Sequence, residues 1–273
     1  MQYFSISPDA MVKSLWSNRS LISALTKREV IARYRGSIMG LTWSFFNPLL
    51  MLSIYTFVFS VVFKARWGVE VANSKANFAL VLFVGLIIHG LFAECIERAP
   101  GLILSNVNYV KKVIFPLEII PWVAFGSALF HAFVSLMVLM LAQLILNHQI
   151  PWTVIFFPIV LLPLSLAAMG AAWFLSALGV YVRDIEQITG MISTVLLFVS
   201  AIFYPIDALP QQYQIFIKIN PLALIIELGR DAMISGTIPD LGQLALLMTG
   251  GILSAWIGFA WFQKTRKGFA DVL

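Results

Sequence analysis

The sequence predicts an all-α, polytopic membrane protein with six transmembrane helices, and three observations lead to this fold class. Of the 273 residues, 60% are hydrophobic and only 11% are charged, whereas soluble domains carry about 25% charged residues. The mean hydropathy is +0.90. The apolar residues also form long runs without Asp, Glu, Lys or Arg, which is typical of helices that cross a hydrocarbon core about 30 Å thick.

The region 1–35 precedes the apolar runs and predicts an amphipathic helix in the membrane interface. Ser7 and Pro8 suit the cap and the first turn of a helix. Apolar residues then form an imperfect stripe opposite the basic residues: Val12, Leu15, Trp16, Ile22 and Leu25. An ordinary cytoplasmic tail is the alternative, because residues 18–20 interrupt the stripe. No cleavable signal peptide is expected, since the first apolar run starts only at Leu41.

The first two membrane helices are predicted at 41–63 and 78–95. Residues 41–63 contain no charged side chain and are long enough to cross a bilayer at about 1.5 Å per residue. A polar loop, 64–77, follows. The second span is shorter; it is apolar apart from His89 and ends beside Glu94.

The next three membrane helices are predicted at 119–146, 153–181 and 187–206. The long charge-free interval that starts at residue 119 has room for two spans. Residues 147–151 divide it, because two amides, an imidazole and a proline are typical of a turn. A tight charged turn, 183–186, then separates the fourth span from the fifth.

The region 207–240 predicts a re-entrant helical hairpin between the fifth and sixth spans. Its two apolar pieces, 213–219 and 222–234, are too short to cross the membrane. Asn220 and Pro221 lie between them and suit the cap and first turn of a helix. Such a hairpin is tolerated at membrane depth only where protein or a water-filled cavity covers it.

The sixth span is predicted at 241–262, which makes 36–263 one transmembrane domain, followed by a cytoplasmic tail at 264–273. Thirteen of the 18 Lys and Arg residues lie on the side of the N-terminus and five on the other side. Cytoplasmic segments carry this excess, so both termini are expected in the cytoplasm and the hairpin on the outer face. Because the basic residues cluster beside apolar runs, the net charge of +5 does not indicate a nucleic-acid partner.

Small residues line one face of the sixth span. Gly250, Ser254 and Gly258 fall at positions i, i+4 and i+8, a spacing that lets another helix approach closely. The sequence leaves open whether that neighbour is a helix of the same chain or of a second subunit.

The sequence lacks the motifs of an enzyme active site and of a nucleotide site. It contains no HExxH, no GxSxG and no paired cysteines at metal-binding spacing. No Gly is followed by Lys, which excludes a G-x-x-x-x-G-K phosphate-binding loop. We therefore expect no catalytic residue, no metal site and no cofactor in this chain.

The predicted central spans hold no Asp, Glu, Lys or Arg, which disfavours ion-driven transport. The three histidines are expected to pack or to hydrogen-bond between helices.

Six residues stand at a characteristic spacing where the basic segment meets the first apolar run: Arg33, Tyr34, Ser37, Gly40, Trp43 and Pro48. This pattern resembles the start of the first membrane helix in permeases of the ABC-2 exporter family, in the branch that exports lipid-linked polysaccharide. Met39 stands where that branch usually has Leu. Further matches at 183–185 and between Asn220 and Arg230 extend the resemblance from about residue 29 to residue 235.

A second stretch, 98–121, carries the same resemblance in Asn106, Lys112, Phe115, Pro116, Glu118 and Pro121. It looks like the family's loop after the second span, which is similar in role to the coupling helix that docks on an ATPase subunit. We call residues 98–121 the coupling loop. The resemblance implies six coupling residues: Asn106, Tyr109, Lys111, Lys112, Pro116 and Glu118. A loop that only sets the membrane topology is the alternative.

The resemblance implies the membrane subunit of an ATP-driven exporter and not an enzyme. The expected cargo is polysaccharide on an undecaprenyl pyrophosphate carrier, with O-antigen first and capsule or teichoic acid as alternatives. A drug or small-molecule exporter and a membrane-embedded glycan-processing enzyme are the further alternatives. The expected assembly is a homodimer with the channel at its interface and two ATP-binding cassette subunits, which bind ATP and Mg. The expected location is the cytoplasmic (inner) membrane of a bacterium.

Two sets of side chains are predicted to meet this cargo. A pyrophosphate favours cationic groups at head-group depth, and four lie just before the first span: Lys27, Arg28, Arg33 and Arg35. Anchoring to membrane lipid head groups is their alternative role. Aromatic rings stack on the apolar faces of sugars, although Trp and Tyr also gather at membrane interfaces. The candidate channel aromatics are Trp43, Phe46, Tyr55, Trp173, Tyr181 and Tyr204.

Overall fold

A computed structural model describes residues 5–58, 75–111 and 115–273, and within these ranges the chain is helical without any β-strand. The helices are α1 (Pro8–Ser17), α2 (Arg19–Arg33), α3 (Trp43–Tyr55), α4 (Lys75–Arg98), α5 (Gly101–Leu104), α6 (Val107–Lys111), α7 (Ile120–Asn147), α8 (Phe157–Tyr181), α9 (Ile185–Val199), α10 (Gln211–Ile219), α11 (Pro221–Arg230), α12 (Leu241–Thr265) and α13 (Phe269–Val272). The predicted all-α class is confirmed.

Five helical stretches of the described chain are long and apolar enough to cross a membrane: Gly40–Val58, Phe78–Arg98, Leu117–Asn147, Trp152–Tyr181 and Leu241–Val272. They correspond to the predicted first, second, third, fourth and sixth spans. The second continues beyond its predicted end at residue 95, so Glu94 and Arg98 belong to its last turns. The end of the predicted first span, most of the loop 64–77, and Lys112 lie outside the described residues.

The N-terminal region forms two helices rather than one interfacial helix. Ser7 caps α1 as predicted, because its Oγ accepts a hydrogen bond from the Ala10 amide at 3.2 Å, and Pro8 is in the first turn. The break falls at Asn18, whose side chain donates to the Ser14 carbonyl at 2.8 Å and ends α1. Helix α2 then packs along α7, where Thr26 Oγ1 donates to the Val123 carbonyl at 3.5 Å.

The predicted fifth span is shorter than expected. Helix α9 has 15 residues, which corresponds to about 22 Å, less than the hydrocarbon core requires. It ends at Val199 because Ala201 adopts a positive φ of 53°, which continues no helix. On α4, His89 Nε2 donates to the Ser193 carbonyl at 3.0 Å, so this histidine joins α4 to α9, as expected for a lone polar residue in a span.

The region 207–240 contains the two short helices that its sequence predicts. Asn220 separates α10 from α11, and its Oδ1 accepts from the Leu222 amide at 3.0 Å. At the other end of α11, Arg230 is only 6% exposed. Its guanidinium donates to the carbonyls of Val81 at 3.2 Å and Ile202 at 3.0 Å. These bonds fix α11 against α4 and the segment after α9.

The small-residue face of α12 packs against α8 of the same chain. A Cβ on Gly258 would lie 2.0 Å from the carbonyl oxygen of Gly170 on α8, and a Cβ on Gly170 would lie 2.3 Å from the Ser254 carbonyl oxygen. Gly250 has open space around it. The α8–α12 contact therefore depends on glycine at positions 170 and 258, and not at 250.

Candidate functional site

A cavity of about 340 Å³ opens between α3, α4 and α7 and has two chemically different ends. Its apolar wall is formed by Pro48, Met51, Tyr55, Phe83, Leu86 and Ile87. At its polar end lie Arg33, Tyr34, Glu94 and His131, which we call the polar cluster. The cavity therefore joins charged groups to a surface that suits an apolar chain.

The polar cluster is held together by short contacts from three helices. Arg33 Nη2 lies 2.8 Å from Glu94 Oε1, and His131 Nδ1 lies 3.1 Å from Glu94 Oε2. Arg33 Nη1 also lies 2.9 Å from His131 Nδ1. Since arginine only donates, Nδ1 accepts from Arg33 or donates to Glu94 according to the tautomer of the ring. Tyr34 Oη is 3.2 Å from His131 Nε2, and burial raises the pKa of Tyr34, so its hydroxyl stays protonated at neutral pH.

The cluster ties the end of α2 to α4 and α7. Glu94 and His131 are 19% and 17% exposed at their side chains, and Arg33 is 41% exposed. Arg98, one turn after Glu94, approaches the same carboxylate at 3.3 Å and also pairs with Glu29 of α2. Two arginines on different helices thus share one carboxylate, which holds the end of α2 against α4.

Sequence reasoning missed Glu94 and His131 as members of this site. His131 has no carboxylate at helical spacing in its own helix, and its partner lies on another helix, 37 residues away. The available signal was the position of Glu94 at the end of an otherwise apolar run, where a carboxylate needs a partner.

Glu94→Ala is expected to loosen α2, because Arg33, Arg98 and His131 then lose their common acceptor. Partly exposed pairs of this kind are worth roughly 1–2 kcal/mol together, so amide hydrogen exchange in α2 should become roughly 5- to 30-fold faster. Hydrogen-exchange mass spectrometry of the protein in nanodiscs measures this. Glu97→Ala is the control, because Glu97 is an exposed carboxylate on the same helix; equal exchange in both variants would contradict the prediction.

The four predicted pyrophosphate-binding cations are separated into two groups. Lys27, Arg28 and Arg35 line an open groove of about 450 Å³ with Ala24, Ile31 and Ala32, which we call the basic groove. Arg33 faces the cavity instead. In the described part of the chain no ion pair involves a basic-groove cation; Arg28 donates to the Tyr109 hydroxyl at 3.3 Å.

The described coupling-loop residues pack closely against the rest of the chain. Asn106 Nδ2 donates to the Leu102 carbonyl at 2.9 Å, and the Tyr109 ring stacks on Phe115 with centroids 4.3 Å apart. Lys111 donates to the Leu273 carbonyl. Pro116 precedes the turn Leu117–Ile119, which leads into α7. The described part of the loop is therefore folded against the rest of the chain.

Glu118, the last predicted coupling residue, joins the loop to two distant parts of the chain. Its Oε2 lies 2.6 Å from Arg266 Nη1, and its Oε1 accepts from Ser14 Oγ at 3.2 Å. Both partners of the ion pair are nearly buried, with side-chain exposures of 13% for Glu118 and 12% for Arg266.

The six candidate channel aromatics have four kinds of environment. Trp43 and Phe46 are exposed on α3, and Tyr55 lines the cavity. Trp173 is buried, and its indole donates to the Glu118 carbonyl at 3.0 Å. The hydroxyls of the remaining two donate to main-chain carbonyls: Tyr181 to that of Thr265 at 2.9 Å and Tyr204 to that of Phe198 at 2.8 Å.

Comparisons with known proteins give a consistent assignment. Residues 20–234 match the family model described as ABC-2 type transporter. The O-antigen export system permease protein RfbA of Myxococcus xanthus is 25% identical over 96% of this chain and 98% of that protein. A Klebsiella pneumoniae protein of the same name is 26% identical over 93% and 95%. The polysialic acid transport protein KpsM of Escherichia coli is 22% identical over 90% and 93%.

Proposed function

The chain belongs to the ABC-2 type transporter family, and on this premise we propose that it is the permease subunit of an ATP-driven polysaccharide exporter, with O-antigen on undecaprenyl pyrophosphate as its cargo. One observation carries the proposal: the similarity to O-antigen export permeases extends over almost the whole length of both chains. A Neisseria meningitidis relative named capsule polysaccharide export inner-membrane protein CtrC is similar over nearly the same length at lower identity, so capsule is the second candidate cargo and teichoic acid the third.

The proposed topology places α1, the coupling loop and the end of α12 on the cytoplasmic face. Contacts between these elements support one common face, since Ser14 bonds to Glu118 and Arg266 pairs with Glu118. The excess of Lys and Arg in the same segments supports the cytoplasmic side. In this topology α9 completes a sixth crossing together with the residues after it, and α10 and α11 form a re-entrant hairpin at the outer face.

The proposed assembly is a homodimer with its channel between two copies. Trp43 and Phe46 of α3 are proposed to line this channel. Only Ser44 and Leu52 of α3 are buried within one chain, so the other residues of the helix can face a second copy. Two ATP-binding cassette subunits bind ATP and Mg and contact the coupling loop. The chain itself is a transport subunit and not an enzyme.

The basic groove is the proposed contact for the pyrophosphate head group. Lys27, Arg28 and Arg35 have their charges exposed, whereas Arg33 is paired with Glu94. A diphosphate therefore meets the groove without displacing an existing ion pair. Arg33 contributes by fixing the end of α2. Head groups of ordinary membrane lipids are the competing occupants.

Deletion of this gene is expected to remove polysaccharide from the cell surface while finished, lipid-linked chains accumulate inside. Surface labelling beside extraction of lipid-linked glycan measures both quantities, and the identity of the lost glycan distinguishes O-antigen from capsule or teichoic acid. Complementation with the wild-type gene is the control. Loss of polymer without intracellular accumulation would contradict export and favour a role in glycan synthesis.

A further inference from the structure

The segment that follows α12 folds back onto the bundle. After the turn Arg266–Gly268 comes α13, in which Phe269 is fully buried. Its ring lies 5.6 Å from that of Phe262 and 6.1 Å from that of Tyr181. A Cβ on Gly268 would lie 2.6 Å from the Tyr181 hydroxyl, so only glycine fits this approach without a shift of the tyrosine. We call residues 266–273 the clamp.

The clamp contacts the coupling loop at two separate places. At one of them Arg266 binds the Glu118 carboxylate at 2.6 Å and donates to the Phe115 carbonyl at 3.0 Å. At the other, Lys111 of α6 donates to the Leu273 carbonyl. The ion pair is nearly buried, and Arg266 has the Phe115 carbonyl as a second acceptor. Such charge-assisted contacts are strong, so they hold the loop and the clamp in one relative position.

The clamp also connects the loop to the closely packed pair α8 and α12. It continues directly from α12, and Tyr181 at the end of α8 donates to the Thr265 carbonyl beside it. Helices α8 and α12 are in backbone contact through Gly170 and Gly258. A displacement of the coupling loop therefore reaches α8 and α12 together, and not only α4 and α7, the helices that flank the loop in sequence.

We propose that the clamp is a mechanical link from the coupling loop to the end of α12, with Arg266 and Phe269 as its positioning residues. The inference rests on the proposed function, in which the coupling loop contacts the ATP-binding subunits. The loop also contacts α8 directly, since the Trp173 indole donates to the Glu118 carbonyl at 3.0 Å and a Cβ on Gly179 would lie 2.3 Å from the Pro100 carbonyl oxygen. The clamp adds a charge-assisted link at the end of α12, and without it ATP hydrolysis is poorly converted into a joint movement of α8 and α12.

The test uses the complete transporter with its ATP-binding subunits and compares polysaccharide exported per ATP hydrolysed. Arg266→Gln and Phe269→Ala are expected to keep assembly and ATP hydrolysis within about twofold of wild type, and to lower export per ATP roughly fivefold or more. Phe269→Leu should restore most of the loss, because it refills the buried site. Lys264→Gln is the matched control, since Lys264 is an exposed cation in the last turn of α12, two residues before Arg266.

Three results separate the outcomes. Unchanged export per ATP in Arg266→Gln and Phe269→Ala would overturn the clamp proposal. Parallel loss of membrane level, assembly and ATP hydrolysis, in Arg266→Lys and Phe269→Leu as well, would also overturn it, because the segment would then serve stability alone. Absence of polysaccharide export by the wild-type transporter would instead contradict the proposed function.

Discussion

Gly258→Ala is expected to disrupt the packing of α8 against α12, whereas Gly250→Ala, eight residues earlier on the same helix, leaves it intact. The added Cβ at 258 would lie 2.0 Å from the Gly170 carbonyl oxygen. Backbone atoms cannot yield as a flexible side chain can, so the two helices must separate. Overpacking typically costs about 1–3 kcal/mol and occasionally more, and a backbone obstacle places this change at the upper end of that range. Thermal unfolding in detergent, followed by size-exclusion chromatography, measures the loss.

Gly170, which faces Gly258 from α8, gives an independent check of this contact. Gly170→Ala brings a Cβ within 2.3 Å of the Ser254 carbonyl oxygen, so it should destabilise the protein to a similar extent. Once either alanine has forced the helices apart, the second adds little, and the double variant should lose less than the sum of the two single losses. A Gly258→Ala protein as stable as Gly250→Ala would show that the two helices do not meet at these residues.

The sequence predicts elements of this fold where the signal is local. Asn220 and Pro221 mark the boundary of two short helices because capping and the first helical turn involve adjacent residues. Long charge-free runs identify the spans for the same reason. The early end of α9 was not predictable. It depends on the positive φ of Ala201, and alanine has no intrinsic preference for that conformation, so the packing around it decides.

The polar cluster was not predictable from local signals. Glu94 and His131 meet only because α4 and α7 are adjacent, and inside a lipid bilayer the hydrophobic pattern of a helix says little about which neighbour it has. Similarly, the spacing of Gly258 and Ser254 predicts a close helix contact, but α8 as the partner emerges only from the folded chain.

The separation of Arg33 from the basic groove, by contrast, follows from helix geometry. At about 100° per residue, Lys27 and Ile31 share one face of α2, whereas Arg33 points toward the opposite side. The four cations are close together in the sequence, but the helical period places Arg33 on a different face from the other three. The same two groups are present in the structure.

Lys27→Gln combined with Arg35→Gln is expected to lower surface polysaccharide roughly tenfold or more, because charge-assisted contacts with a phosphate contribute about 1.5–3 kcal/mol each. Membrane level should stay unchanged, since both side chains are exposed and neither is in an ion pair within the described residues. Arg28 is spared, because it bonds to Tyr109 of the coupling loop. Surface labelling and immunoblotting of membranes give the two measurements.

A double variant outside the groove, Lys13→Gln with Arg19→Gln, decides between the two roles of these cations. Attraction to anionic lipid head groups is worth about 1 kcal/mol per basic residue wherever it lies near the membrane surface. If Lys27 and Arg35 only anchor the N-terminal region, both double variants lose the same attraction and reduce export equally. If the groove receives the pyrophosphate of the cargo, only the groove variant reduces export, and lipid-linked polysaccharide accumulates inside the cell. Equal reductions would therefore remove the groove from the transport path and leave it a membrane anchor.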